Sequence, residues 1–79
     1  MSKAQVLLVA DETEFAETLA ERLSLRGYPT RTVAEGEQAL EMIDQVEPEV
    51  LVLDMMMPGM GGLEVLKRLR KSHPALPVI

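Results

Sequence analysis

The sequence predicts a doubly wound α/β layer built on a parallel sheet, and three observations carry that prediction. Short runs of branched apolar residues stand at Gln5–Ala10 and Val50–Asp54, with no strict polar alternation, and a brief strand at Thr30–Val33 lies between them. Such runs suit strands covered on both faces. Between them lie segments with a helical period, and the connections are short enough for right-handed parallel crossovers. The alternation β-α-β-α-β-α-β then selects the layered α/β class.

Each element has its own local reasons. Gln5–Ala10 is an apolar run closed by Asp11 and Glu12. From Phe15 the period changes: Phe15, Ala16, Leu19, Ala20 and Leu23 share one helical face, and Glu14, Glu17, Glu21 and Arg22 cover the other. Thr13 is the expected N-cap, acids fill the first turn and Arg26 the last. Gly27 supplies the left-handed stop. After Pro29 comes the brief strand Thr30–Val33. Ala39, Leu40, Ile43 and Val46 make the stripe of a second helix, which Pro48 ends. Val50–Asp54 is the third strand. Leu63, Val65, Leu66 and Leu69 give the third helix its apolar stripe, and Lys67, Arg68, Arg70 and Lys71 favour its carbonyl end. Pro74 and Pro77 punctuate a loop before Val78-Ile79, the expected start of a fourth strand.

Composition narrows the function. The chain has 79 residues, one small domain at most, with 47% apolar and 27% charged residues. Its net charge of -5 argues against nucleic-acid or anionic-membrane binding through this segment. The absence of cysteine excludes disulfides and thiolate metal sites. No apolar run approaches a membrane span and no signal-peptide pattern opens the chain, so the expected location is the cytoplasm.

The chemistry collects at two strand ends. Val50-Leu51-Val52-Leu53 runs into Asp54, and a Met-Pro-Gly turn follows; strand one ends at Asp11-Glu12. In a sheet of order 2-1-3 these ends flank the topological switch point, where open α/β sheets bind ligands. Carboxylates sharing one shallow cleft repel, which favours a raised pKa or a bound hard cation, and oxygen ligands suit Mg²⁺. Simpler assignments stand beside these: Asp54 as a turn-capping acid, and Asp11 and Glu12 as helix N-terminal acids, which is the better account of Glu12. Met55, Met56, Met57 and Met60 suit gap-filling loop and core positions better than soft-metal ligation. His73, next to Pro74, suits a solvated helix end. Gly59-x-Gly61-Gly62 lacks the spacing of a dinucleotide fingerprint.

Three blocks carry a family resemblance: Val-Leu-Leu-Val-Ala-Asp-Glu from Val6, Ala-Glu-Gly-Glu-Gln-Ala-Leu from Ala34, and Leu-Val-Leu-Asp-Met-Met-Met-Pro-Gly-Met-Gly-Gly-Leu-Glu-Val-Leu from Leu51. Together they resemble a response-regulator receiver domain of two-component signalling, over the whole chain. The resemblance implies a flavodoxin-like sheet of order 2-1-3-4-5, here residues 1–79 of an incomplete receiver ending at the start of strand four. It implies Asp54 as phosphoacceptor, and Asp11, Asp54 and the Met56 backbone carbonyl as Mg²⁺ ligands, with Pro58-Gly59 shaping the loop. The implied partner is a sensor histidine kinase or phosphotransfer protein, and the module switches rather than turning over substrate.

Two departures qualify it. Receivers usually carry two acids at the end of strand one, and the first is Ala10 here. The Ser or Thr and the Lys that follow later in the family lie beyond Ile79. A homodimer through an exposed sheet edge or the Val78-Ile79 segment is therefore expected. A degenerate receiver that only binds proteins is the alternative reading. A phosphatase with an Asp nucleophile is weaker, because its usual second acid would fall at Met56.

Overall fold

A computed structural model of the chain describes residues 4–57 and 59–79. The element order is β1 (Val6–Val9), α1 (Thr13–Leu25), β2 (Thr30–Val33), α2 (Gly36–Gln45), β3 (Val50–Leu53) and α3 (Gly62–Ser72). The three strands form a parallel sheet of order β2-β1-β3. Val6 pairs with both Thr30 and Val50, and the register runs on to Val9 opposite Val33 and Leu53. Val78 bridges Leu51 in parallel. The Ile79 N–H donates to the Leu51 carbonyl at 2.8 Å and the Leu51 N–H to Pro77 at 2.9 Å. The expected fourth strand thus begins beside β3.

Strand alternation splits the core in two. Leu7, Val9, Leu51 and Leu53 face α2 and α3, where they pack with Ala39, Ile43, Val65, Leu69 and Leu76. Leu8 and Ala10 turn to the opposite face and pack with Ala16 of α1. β1 is buried along its whole length, whereas Val50 and Val52 of β3 are only half-buried. The central strand is β1, so it is β1 rather than β3 that both layers cover.

Helix ends follow from local chemistry. At the end of α1, the Tyr28 N–H bonds the Leu23 carbonyl at 2.9 Å and the Gly27 N–H bonds Ser24 at 3.0 Å. With Gly27 at φ +90° this is a Schellman stop, as the glycine predicted. Its start differs: Glu12 is the N-cap without a side-chain cap bond, Thr13 is already helical, and Arg26 is the C-cap rather than last-turn residue. Three residues expected in apolar stripes lie in solvent, namely Phe15, Val46 and Leu63. Val46 sits one residue past α2, where the backbone has turned extended. Phe15 and Leu63 occupy first turns that overhang the sheet's carboxyl end.

His73 is not the freely solvated residue expected from sequence. Its Nε2 lies 3.7 Å from Asp44 Oδ1 and 3.8 Å from Glu47 Oε1, while Nδ1 is 2.8 Å from Ser72 Oγ. It links the end of α3 to the end of α2.

This packing makes a direct contrast. Leu51→Ala, at a fully buried site, is expected to cost about 2–5 kcal/mol. Val46→Ala, two-thirds exposed, is expected to stay within about 0.5 kcal/mol. Urea unfolding of both variants checks the pair.

Candidate functional site

β3 stops at Leu53, so Asp54 is the first residue beyond the strand rather than its last. Its N–H still donates to the Val9 carbonyl at 2.9 Å, which ties it to the end of β1. Oδ1 accepts the Met56 N–H at 2.9 Å. The side chain therefore closes a local turn of the kind short acids favour after strands. That turn uses one carboxylate oxygen; Oδ2 has no partner among the described residues. Asp54 is half-buried, with its N–H held by the end of β1 and one carboxylate oxygen outside the turn bond.

Continuing the parallel register one step past Val9 and Leu53 sets Ala10 across from Asp54, with Asp11 one residue further out. Asp11 and Glu12 are exposed, and Glu12 leads into α1 as its N-cap. Glu12 is thus accounted for as a helix-start acid. Ala10 is only 4% exposed, its N–H donates to Val33 at 3.1 Å, and it packs in the small core beneath α1. A methyl group serves that packing, and a carboxylate there would have to be accommodated at an almost dry position.

The four methionines of the loop separate. Met57 is buried in the larger core and Met60 packs against it, but Met56 is 84% exposed and Met55 half so. An exposed side chain at Met56 is compatible with a role for its backbone. Gly59 adopts φ +72°, which a glycine tolerates without strain. Pro58 lies outside the described residues.

Gly62, singled out in the sequence only within a rejected dinucleotide pattern, has a close backbone contact that this pattern does not reveal. A Cβ there would lie 2.5 Å from the Asp54 carbonyl oxygen and 2.6 Å from Met55 Cα. The start of α3 therefore presses directly on the backbone of Asp54. The Gly61-Gly62 pair was the available signal, since adjacent glycines before a helix can mark close backbone approach.

Among the described residues, no three His, Cys, Asp or Glu side chains gather into a metal-binding group. A cation at this end would draw on Asp11, Asp54 and backbone oxygen. That all-oxygen set, with Asp11 exposed and Asp54 half-buried, leaves room for water and fits a hard ion such as Mg²⁺. Among the described residues, no helix is long and apolar enough to cross a membrane.

Residues 6–79 match the family profile described as the response regulator receiver domain. The response regulator MprA of Mycobacterium ulcerans is 41% identical over 75 residues, covering 95% of this chain and 32% of that protein. The probable transcriptional regulatory protein TcrX of Mycobacterium tuberculosis is 40% identical over 74 residues, covering 94% and 32%. The chain thus spans about a third of the curated relatives it matches. Among solved structures, the response regulator TrrA of Thermotoga maritima in complex with Mg²⁺-BeF superimposes with a TM-score of 0.91 at 34% identity, over 96% of this chain and 66% of that one. The N-terminal domain of a receiver protein from Methanoculleus marisnigri gives 0.91 at 30% identity, over 98% and 64%.

Proposed function

The chain belongs to the response regulator receiver domain family, and on that premise we propose that it takes a phosphoryl group on Asp54. The observation that carries the proposal is the Asp54 turn: backbone fixed to Val9, Oδ1 engaged by Met56, Oδ2 open. Oδ2 attacks phosphorus on a phosphohistidine of a sensor kinase or phosphotransfer protein. The P–N bond breaks, its electron pair stays on the imidazole, and an acyl phosphate forms on Asp54. Orientation is this chain's main contribution, since a carboxylate already held in one geometry loses little freedom on reaction.

Asp11, Asp54 and the Met56 carbonyl would hold Mg²⁺, as the donor chemistry and the Mg²⁺-BeF complex of the related TrrA support. A bound Mg²⁺ supplies charge neutralisation for the equatorial oxygens of the transferring group. Asp11 extends the negative end of the site, and the Met55–Met57 turn sets the position of the Met56 backbone. The module acts as a phosphoacceptor rather than as a substrate-turnover enzyme. Any homodimer would use an exposed sheet edge or the Val78-Ile79 segment.

The test is incubation with acetyl phosphate with and without Mg²⁺, read by intact mass. Mg²⁺-dependent gain of one phosphoryl group is expected. Absence of any gain at saturating donor and Mg²⁺ favours the second reading, a degenerate receiver that serves as a protein-interaction module. Ala10, absorbed into the small core, is the observation behind that alternative.

Ala10 also yields a two-sided expectation. Ala10→Asp adds a carboxylate across from Asp54, so Mg²⁺ affinity rises by roughly tenfold, while without Mg²⁺ stability falls by about 1–3 kcal/mol. Mg²⁺ titration and urea unfolding on the same variant read both effects.

A further inference from the structure

Away from Asp54, at the amino ends of the strands, a cavity of about 450 Å³ opens between β1, β2 and the end of α2. Its size is that of a small-molecule site. It lies on the β2 side of the sheet, opposite the edge where Val78 adds to β3. Its polar lining residues are Arg31, Gln5, Gln45, Ser24 and Thr30, and Met42, Val46 and Pro48 give apolar wall.

Arg31 is the unusual member. The register pairs it with Leu7, a core residue on the α2 face of the sheet, so a guanidinium stands where the strand pattern calls for an apolar side chain. An inward-pointing charge does protect an edge strand from pairing. Protection of the edge does not require a cavity, however, and the guanidinium has neither hydrogen bond nor ion pair among the described residues. In a chain of net charge -5, Arg31 is the one cationic side chain among the residues that line this cavity.

We propose that this cavity binds a small organic monocarboxylate whose apolar body rests against Met42, Val46 and Pro48 while Arg31 takes the carboxylate. Guanidinium and carboxylate match in a two-point, charge-assisted pair, and the glutamine amides supply further donors. A dianion is disfavoured. The carbonyl end of α2 carries negative partial charge at Gln45, and Glu49 sits beside the cavity with Oε1 3.1 Å from the Gln5 N–H.

The test is amide and methyl NMR titration of the chain with benzoate, its neutral counterpart benzamide, and inorganic phosphate. Saturable benzoate shifts at Arg31, Met42 and Val46 are expected, with benzamide and phosphate at least about tenfold weaker. Arg31→Gln, at an exposed position, should weaken benzoate by a similar factor. Val46→Trp, at an exposed position, should block the cavity and abolish the shifts. Circular dichroism checks that both variants keep the fold. Absence of saturable shifts overturns the proposal, as does benzoate binding that Arg31→Gln leaves unchanged, or phosphate binding as tight as benzoate.

Discussion

Asp54→Asn is expected to abolish phosphoryl uptake and to leave the fold in place. The amide keeps an oxygen that can accept the Met56 N–H, so the turn that fixes residues 54–56 survives. What is lost is the anionic nucleophile, since an amide oxygen does not form an acyl phosphate under these conditions. The asparagine variant is a cleaner probe than alanine, which would also remove the turn bond at about 1 kcal/mol. Unchanged urea unfolding with no mass gain from acetyl phosphate is the expected pair of results. Uptake that persists in Asp54→Asn would place the acceptor elsewhere.

The second large effect is structural and begins at Gly62. Its α-carbon faces the Asp54 carbonyl and Met55 Cα so closely that an added Cβ would meet backbone on both sides. Backbone cannot rotate aside as the end of a side chain can. Gly62→Val is therefore expected to cost about 3 kcal/mol or more, near the upper range for overpacking. Because the displaced segment carries Asp54, phosphoryl uptake should fall along with stability. Unfolding midpoint and uptake rate, measured on one preparation below its unfolding transition, separate the two losses. A rate unchanged in the folded variant would show that the α3 contact does not set the Asp54 geometry.

Much of this was legible in the residues. The parallel α/β layer followed from short crossovers and apolar runs, the strand order came with the family resemblance, and Gly27 marked the end of α1 because its left-handed stop is a local event. Asp54 and Asp11 could be singled out as candidates because acids at strand ends leave a sequence trace. What stayed hidden depends on distant partners. Periodicity put Phe15, Val46 and Leu63 in stripes, but a stripe has no information about where the opposing surface ends. His73 gave no sign of Asp44 and Glu47, which reach it from the far end of α2 and the segment after it. Gly62 was visible only as a glycine, and the contact that requires it comes from the turn after β3. Likewise Ala10 read as a missing acid, whereas packing gives it a positive role in the small core.

The most direct measurement is the location of the phosphoryl group. After acetyl phosphate and Mg²⁺, borohydride reduction converts an aspartyl phosphate to homoserine, and tryptic digestion leaves Asp54 within residues 32–67. Sequencing of that peptide by tandem mass spectrometry should find homoserine at position 54 and aspartate at position 44. Homoserine at Asp11 or Asp44, or a fully unmodified peptide from protein that has gained a phosphoryl group, would contradict Asp54 as the acceptor.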